Sequence, residues 1–116
     1  MSVKIGAADM NLSITAPTNG ATIADAALTD SASSSKVEIG TPTWEKSDDG
    51  SSGWASATGN FEQKFYRATV TLTAKDGFAF GESGDYSSLT VTNGKATSAT
   101  VSDGSLKLII TFDQVQ

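Results

Sequence analysis

The residues from Phe65 to Phe80 constrain the fold of this sequence more than any other stretch. From Tyr66 to Lys75, apolar residues alternate with threonines or basic residues without a break. Successive side chains of a β-strand point to opposite faces of a sheet, whereas an amphipathic helix repeats about every 3.6 residues. The alternation therefore predicts a half-buried strand. Asp76-Gly77 then predicts a turn, after which Phe78 and Phe80 resume the alternation.

The same alternation, in shorter stretches, predicts about six further strands. Turn signals lie between them roughly every eight to twelve residues, and Asn93-Gly94 and Asp103-Gly104 are typical of two-residue hairpins. This spacing predicts an all-β fold, an antiparallel sandwich of about seven strands. The predicted strands besides the central one are residues 10–16, 21–28, 36–46, 86–92, 95–101 and 106–112.

Two of these stretches are less clear strands than the others. Residues 21–28 are short and rich in alanine, so they form either an edge strand or a single helical turn. Within residues 36–46, Trp44 falls on the opposite parity to Ile39, with Gly40 between them. We therefore predict a bulge or kink at this point that resets the register of the strand.

Residues 9–116 are expected to form a single domain, preceded by residues 1–8 as a tail or linker remnant, because those eight residues show no clear period. Residues 47–60 contain three glycines and no period, and we interpret them as a long loop. The inward parity of the strands predicts a core made of Tyr66, Val70, Leu72, Phe78, Leu89, Val91, Leu106, Leu108, Ile110 and Phe112.

The composition excludes several kinds of chemistry. The 116 residues include no histidine and no cysteine. Serine–histidine and cysteine–histidine nucleophile pairs, thiolate metal sites and disulfides are therefore excluded. The thirteen acidic residues are scattered among turns and strand faces, without the pairing that glycoside hydrolysis needs. We expect no catalytic residues, no resident metal and no cofactor.

The balance of charge bears on the expected partners. Thirteen acidic residues against eight basic ones give a formal net charge of −5. Binding to nucleic acid or to anionic membrane surfaces needs basic patches, so neither is an expected partner. No apolar run approaches the ~20 residues of a membrane span, and there is no signal-peptide pattern. An exported location would make this chain part of a longer polypeptide.

Several motifs within residues 10–113 resemble the Ig-like repeats of large surface proteins of clostridia and related gut bacteria. In those repeats one strand ends in Ala-Pro with a following Gly, as Ala16-Pro17 and Gly20 do here, and a later strand closes on Trp, as Thr43-Trp44 does. The more specific match is an alternating strand that opens on Tyr and runs into Lys-Asp-Gly-aromatic-x-Phe, here Tyr66 to Phe80.

The resemblance implies an Ig-like sandwich in a multidomain protein that is secreted or held at the cell surface. Members of this family act as spacers, as adhesive modules, or beside carbohydrate-binding and catalytic domains. The implied partners are neighbouring domains of the same polypeptide, a polysaccharide or a surface protein. No catalytic residues belong to the pattern. The chain departs from it in residues 24–35 and in the loop of residues 47–60, which adds Trp54.

The two tryptophans have different interpretations. Trp44 closes a strand and is expected in the core or at its edge, with a ligand platform as the alternative. Trp54 lies in the loop of residues 47–60 between Gly53 and Ala55, where an indole either anchors the loop or faces solvent. A solvent-facing indole offers a flat apolar surface on which a sugar ring can stack.

Two functions therefore stand as hypotheses. The first is a non-catalytic spacer or interaction module. The second is a carbohydrate-binding module, with an aromatic platform and polar side chains that bond sugar hydroxyls. Its candidate ligand-binding residues are Trp54, Tyr86, Asp49, Asn60 and Glu62, with Trp44 as a further stacking candidate. The acidic pair Asp48-Asp49 lacks the ligand spacing of a calcium loop, so we interpret it as a solvated turn.

Overall fold

The computed structural model describes residues 2–31 and 36–116. Within these residues there are eleven strands, three short 3-10 helices and no α-helix, so the all-β prediction is confirmed while the strand number exceeds the expected seven or so. The described part of the chain contains no helix with the length and apolar character needed to cross a membrane. The strands are β1 (Val3–Ile5), β2 (Leu12–Ile14), β3 (Leu28–Asp30), β4 (Val37–Ile39), β5 (Thr43–Ser47), β6 (Ala55–Ser56), β7 (Phe65–Ala74), β8 (Phe78–Phe80), β9 (Val91–Thr92), β10 (Lys95–Ser102) and β11 (Ser105–Thr111). The 3-10 helices are Ala7–Asp9, Ile23–Asp25 and Ser83–Tyr86.

Strand β7 is the centre of the largest sheet, which has six strands. It pairs antiparallel with β11 along one edge. Along its other edge it pairs antiparallel with both β4 and β5. The sheet continues with β10 beyond β11, and with the two-residue strand β6 beyond β5. The ten residues of β7 thus set the order of the other five strands.

An extra residue between β4 and β5 explains the change of parity at Trp44. Ile39 lies opposite Leu72, whereas Thr43 lies opposite Thr69. The chain therefore advances four residues from Ile39 to Thr43 while β7 advances only three. Because of this extra residue, odd-numbered residues point towards the core in β4 and even-numbered residues do so in β5. The register shift predicted from the sequence is confirmed.

Two smaller sheets contain parallel pairs, which the prediction of a purely antiparallel sandwich did not include. β2 pairs antiparallel with β3 and parallel with β9, so the order of this sheet is β3-β2-β9. β1 pairs parallel with β8. Parallel neighbours need a long crossover connection, and in both pairs that connection includes β7. These pairings bring together segments that are far apart in sequence.

Of the two predicted hairpins, one is present and one is not. Asp103 and Gly104 have φ angles of 52° and 79° and join β10 to β11 in a tight hairpin. Asn93 also has a positive φ, of 73°, but β9 before it and β10 after it belong to different sheets. This turn therefore carries the chain from one sheet to another. The segment before it, residues 86–92, forms a strand only at Val91–Thr92.

Two irregular stretches also differ in detail from their predictions. Residues 21–28 contain the 3-10 helix Ile23–Asp25, which confirms the helical-turn alternative, and β3 begins only at Leu28. Residues 47–60 are a loop apart from β6, which pairs with β5. Part of residues 24–35, a departure from the family pattern, lies outside the described residues.

Residues 2–8, the described part of the predicted tail, enter the fold through β1. β1 pairs with β8, and its last residue, Ile5, is fully buried. The carbonyl of Ile5 also accepts a hydrogen bond from the hydroxyl of Tyr86. A strand of three residues that buries one side chain is too short to show a period, so the alternation could not reveal it.

One continuous cluster of buried residues forms the core between the two larger sheets. Eight of the ten predicted core residues are buried, and the other two, Phe78 and Phe112, are half-buried. The six-stranded sheet contributes side chains such as Leu72, and the sheet of β2, β3 and β9 contributes Leu12 and Ile14. The arrangement is sandwich-like because the inner faces of both sheets share this core.

Truncation of the inner face of the six-stranded sheet should destabilise the fold strongly. Leu72→Ala and Leu108→Ala each shorten a fully buried side chain, and we expect each to lower the free energy of unfolding by roughly 2–5 kcal/mol in urea denaturation. Thr71→Ala is the matched control because Thr71 is exposed on β7, and it should change that free energy by about 0.5 kcal/mol or less. Equal losses at positions 71 and 72 would mean that the faces of β7 are assigned wrongly.

A second pair of variants tests whether β1 belongs to the folded domain. Ile5→Ala should lower the free energy of unfolding by roughly 2–5 kcal/mol, because the Ile5 side chain is fully buried. Val3→Ala lies in the same strand but at a side chain that is 61% exposed, so its effect should stay within about 0.5 kcal/mol. If Ile5→Ala is as mild as Val3→Ala in thermal or urea melts, residues 1–8 are a tail after all.

Candidate functional site

The loop that carries Trp54 is held together by its own polar groups. Ser47, at the end of β5, is buried, and its hydroxyl accepts a hydrogen bond from the backbone N–H of Asp49 at 3.3 Å. The Asp49 carboxylate accepts hydrogen bonds from the backbone N–H groups of Ser51 and Ser52, both at 2.9 Å. The loop is therefore an ordered structure and not a free segment.

These bonds also fix the charge state of Asp49. The backbone N–H groups of Ser51 and then of Ser52, followed by the hydroxyl of Ser47, hold the pKa of the Asp49 carboxyl well below its usual value of 3.8. Hydrogen bonds to a carboxylate favour its ionised form. Asp49 was a candidate for bonding sugar hydroxyls, but its oxygens are engaged in shaping the loop.

Trp54 lies on the outer face of the six-stranded sheet, the face away from the core. The guanidinium carbon of Arg67 is 4.4 Å from the centroid of the indole ring, which is a cation–π contact. Arg67 in turn donates a hydrogen bond from Nε to the carboxylate of Glu45 at 2.8 Å. The half-buried indole is thus anchored through one ring face, while part of its surface stays accessible. We call Trp54, Arg67 and Glu45 the Trp54 platform.

Glu62, another candidate, does not face the Trp54 platform. Its backbone N–H donates to the hydroxyl of Tyr66 at 2.7 Å, and its carboxylate lies 3.5 Å from the Nζ of Lys46. Tyr66 points into the core, whereas Arg67, the next residue of β7, points outward. The alternation of the strand therefore places Glu62 and Trp54 towards opposite faces of the sheet.

Asn60 is the last residue of the loop, beyond β6, and lies near the 3-10 helix Ile23–Asp25. It pairs with Thr22 in an isolated bridge, and its side chain is exposed. Trp54 instead contacts Arg67 of β7. Of the five candidate residues, Trp54 and Asp49 share the part of the loop before β6, and the structure does not gather the others around them.

Tyr86 is a structural residue, which corrects its assignment as a stacking candidate. Only 2% of its surface is exposed, so a sugar ring cannot lie on it. Its hydroxyl donates to the carbonyl of Ile5 and accepts a hydrogen bond from the N–H of Gly81 at 2.9 Å. The ring packs edge-on against Phe80. Tyr86 therefore fastens β1 and β8 to the rest of the fold.

Trp44 is buried, as expected of a core aromatic, but one of its atoms is unusual. Its ring stacks on Phe112 at 5.4 Å between centroids and meets the edge of Phe61 at 5.1 Å. Within the described residues, its Nε1–H is the buried side-chain polar group that has no hydrogen-bond partner. A buried donor without an acceptor costs about 1–3 kcal/mol. The indole also lines a cavity beside β5, which the sequence pattern gave no means to foresee.

No metal site is apparent in the part of the chain that the structure describes. Its carboxylate side chains form no group of three or more that could hold an ion. Asp48, one half of the acidic pair, lies 3.3 Å from the Nζ of Lys64. Comparison with protein-family models, with curated proteins and with solved structures found no match.

The pH dependence of stability tests the role of Asp49. Because the pKa of Asp49 is lower in the folded chain, its ionised form stabilises the fold above the ordinary value of 3.8, and this contribution is lost as the pH falls below that value. We expect Asp49→Asn to melt below the wild-type protein at neutral pH, with a gap that narrows in acid. Two melting curves that stay parallel over the whole pH range would contradict this role.

Proposed function

We propose that this chain is a non-catalytic Ig-like module of a bacterial surface or secreted multidomain protein, and that it acts as a spacer or an interaction domain. The proposal rests on one observation: the polar side chains that were candidates for a site are bonded to other parts of the fold. The side chains of Asp49 and Tyr86 make hydrogen bonds that hold the fold together, and the Glu62 carboxylate forms ion pairs with Lys46 and Lys64. Groups engaged in this way are poorly placed to move protons or bind a substrate. The resemblance within residues 10–113 supports the Ig-like and surface assignments.

The shape of the molecule fits a spacer. Its longest extent is 47 Å, about twice the other two, which are 24 and 20 Å. Strand β7 is hydrogen-bonded along both edges, so the middle of the module resists deformation. Neighbouring domains of the same polypeptide are the partners that such a role requires.

A second function, carbohydrate binding, is favoured by the Trp54 platform. Arg67 holds the indole on the outer face of the sheet and leaves part of the ring accessible. Thr69 and Thr71 follow Arg67 on the same face of β7, so hydroxyl groups accompany the ring. An apolar ring beside hydroxyl donors and acceptors is the combination that a neutral sugar needs.

One measurement separates the two functions. The intrinsic tryptophan fluorescence of the protein is recorded against starch, xylan, cellulose and mucin glycans. A spacer gives no change with any of them. A saturable change with one polysaccharide would instead favour carbohydrate binding and reduce the spacer proposal to a secondary role.

If a polysaccharide binds to the Trp54 platform, Trp54→Ala should abolish capture through this platform in affinity gel electrophoresis. It should barely change stability, since a partly exposed cation–π contact contributes only about 0.5–1 kcal/mol. Trp44→Ala should cost roughly 3–5 kcal/mol of unfolding free energy, because the Trp44 side chain is buried. Thr73→Ala, further along the outer face of β7, is the control that should leave both capture and stability unchanged. A loss of stability in Trp54→Ala as large as in Trp44→Ala would show that the indole serves only as an anchor.

A further inference from the structure

A cavity of about 330 Å³ lies at the edge of the six-stranded sheet next to β5. This volume falls within the range of small-molecule sites, roughly 300–1,000 Å³. β6 pairs with Glu45 and Lys46, and the N–H of Ala57 donates to the carbonyl of Trp44, so the cavity lies at the very start of β5. Its other walls are the 3-10 helix Ile23–Asp25 and the segment that follows β6. We call it the β5-edge cavity.

The lining of the β5-edge cavity selects for an uncharged ligand. All of the described residues that line it are uncharged. Ile23, Ala24 and Pro42 provide apolar walls, whereas Thr43 and Ser56 provide hydroxyl groups. An ion would lose water in this site without gaining a counter-charge. A neutral molecule with an apolar face and several hydroxyls matches both parts of the wall.

Trp44 adds a directional group to this lining. It is one of the residues of the cavity wall, it is 4% exposed, and its Nε1–H has no acceptor among the described residues. Buried polar groups are nearly always paired, so an unpaired donor on a side chain that lines a cavity is a candidate to bind a partner from outside the chain. The stacking of Trp44 on Phe112 and Phe61 fixes the indole in advance of binding.

We propose that the β5-edge cavity binds a neutral sugar unit, with an apolar ring face against Ile23 and Pro42 and an oxygen that accepts a hydrogen bond from Trp44 Nε1. Small shifts of the side chains around Nε1 complete this contact on binding, because the atom is covered in the free protein. The proposal extends the sugar-binding alternative to a second site. Trp54 lies on the outer face and Trp44 on the inner one, so neither site needs the other.

Indole N–H signals in ¹H–¹⁵N NMR spectra report on the two sites separately. The protein contains two tryptophans, and the spectrum of Trp54→Ala assigns both signals. Glucose, galactose and N-acetylglucosamine are then titrated into the uniformly labelled wild-type protein. We expect the Trp44 signal to shift saturably with at least one of these sugars, in the direction of a newly formed hydrogen bond.

Two variants locate the ligand within the cavity. Ala24 is exposed at the cavity wall, so Ala24→Phe should fill the space and abolish the shift of the Trp44 signal. Ala21→Phe makes the same change nearby at an exposed residue outside the cavity lining, and it should leave binding intact. Trp44→Phe keeps an aromatic ring but removes the donor, and should weaken binding by roughly tenfold or more, measured on the backbone signals of the cavity residues.

Several results would overturn the proposal. A shift of the Trp54 signal alone would place the sugar on the Trp54 platform and leave the cavity empty. No shift of either signal with any of the three sugars would rule out both sites. A Trp44 shift that survives Ala24→Phe would mean that the ligand binds elsewhere. Unchanged affinity in Trp44→Phe would show that the indole N–H is not the donor.

Discussion

Hydrogen-bonded pairing of β7 along both of its edges is the constraint on which the rest of the structure depends. It fixes which side chains of the strand point inward, and residues such as Val70 and Leu72 are fully buried as a result. The same register sends Arg67 outward, opposite Glu45, where it carries the Trp54 ring. Core and candidate site are therefore two faces of one strand, and a change of register would exchange them.

The parts of the fold that depend on residues close together in the sequence could be predicted. The alternation of β7 and the chemistry of Asp103-Gly104 act within a few residues, and both the strand and the hairpin are present. The parity change at Trp44 was also sufficient to predict a shift of register. The parallel pairs of β1 with β8 and of β2 with β9 were not predictable, since partners so far apart in sequence leave no local pattern.

The candidate site was predictable only in part. A tryptophan between small residues in a long loop draws attention to Trp54, but nothing in the sequence pattern points to its contact with Arg67. Tyr86 begins the predicted strand of residues 86–92 on the parity opposite to Leu89 and Val91, which implies an outward side chain. It instead ends the 3-10 helix Ser83–Tyr86, where strand parity does not apply, and it is buried. Its hydroxyl instead meets Ile5, which no period of the sequence relates to it. Contacts across the fold decide the role of such residues.

The parallel pairing of β1 with β8 bears on how the module would respond to tension. The hairpin of β10 and β11 closes through two residues, whereas β1 can pair only after the chain has passed through β7 and reached β8. Contacts that close long stretches of chain form later than local ones, so β1 is expected to join last and to separate first. A pull on the N-terminal residues would reach this strand first. The module would then lengthen at β1 while the sheet around β7 stays folded.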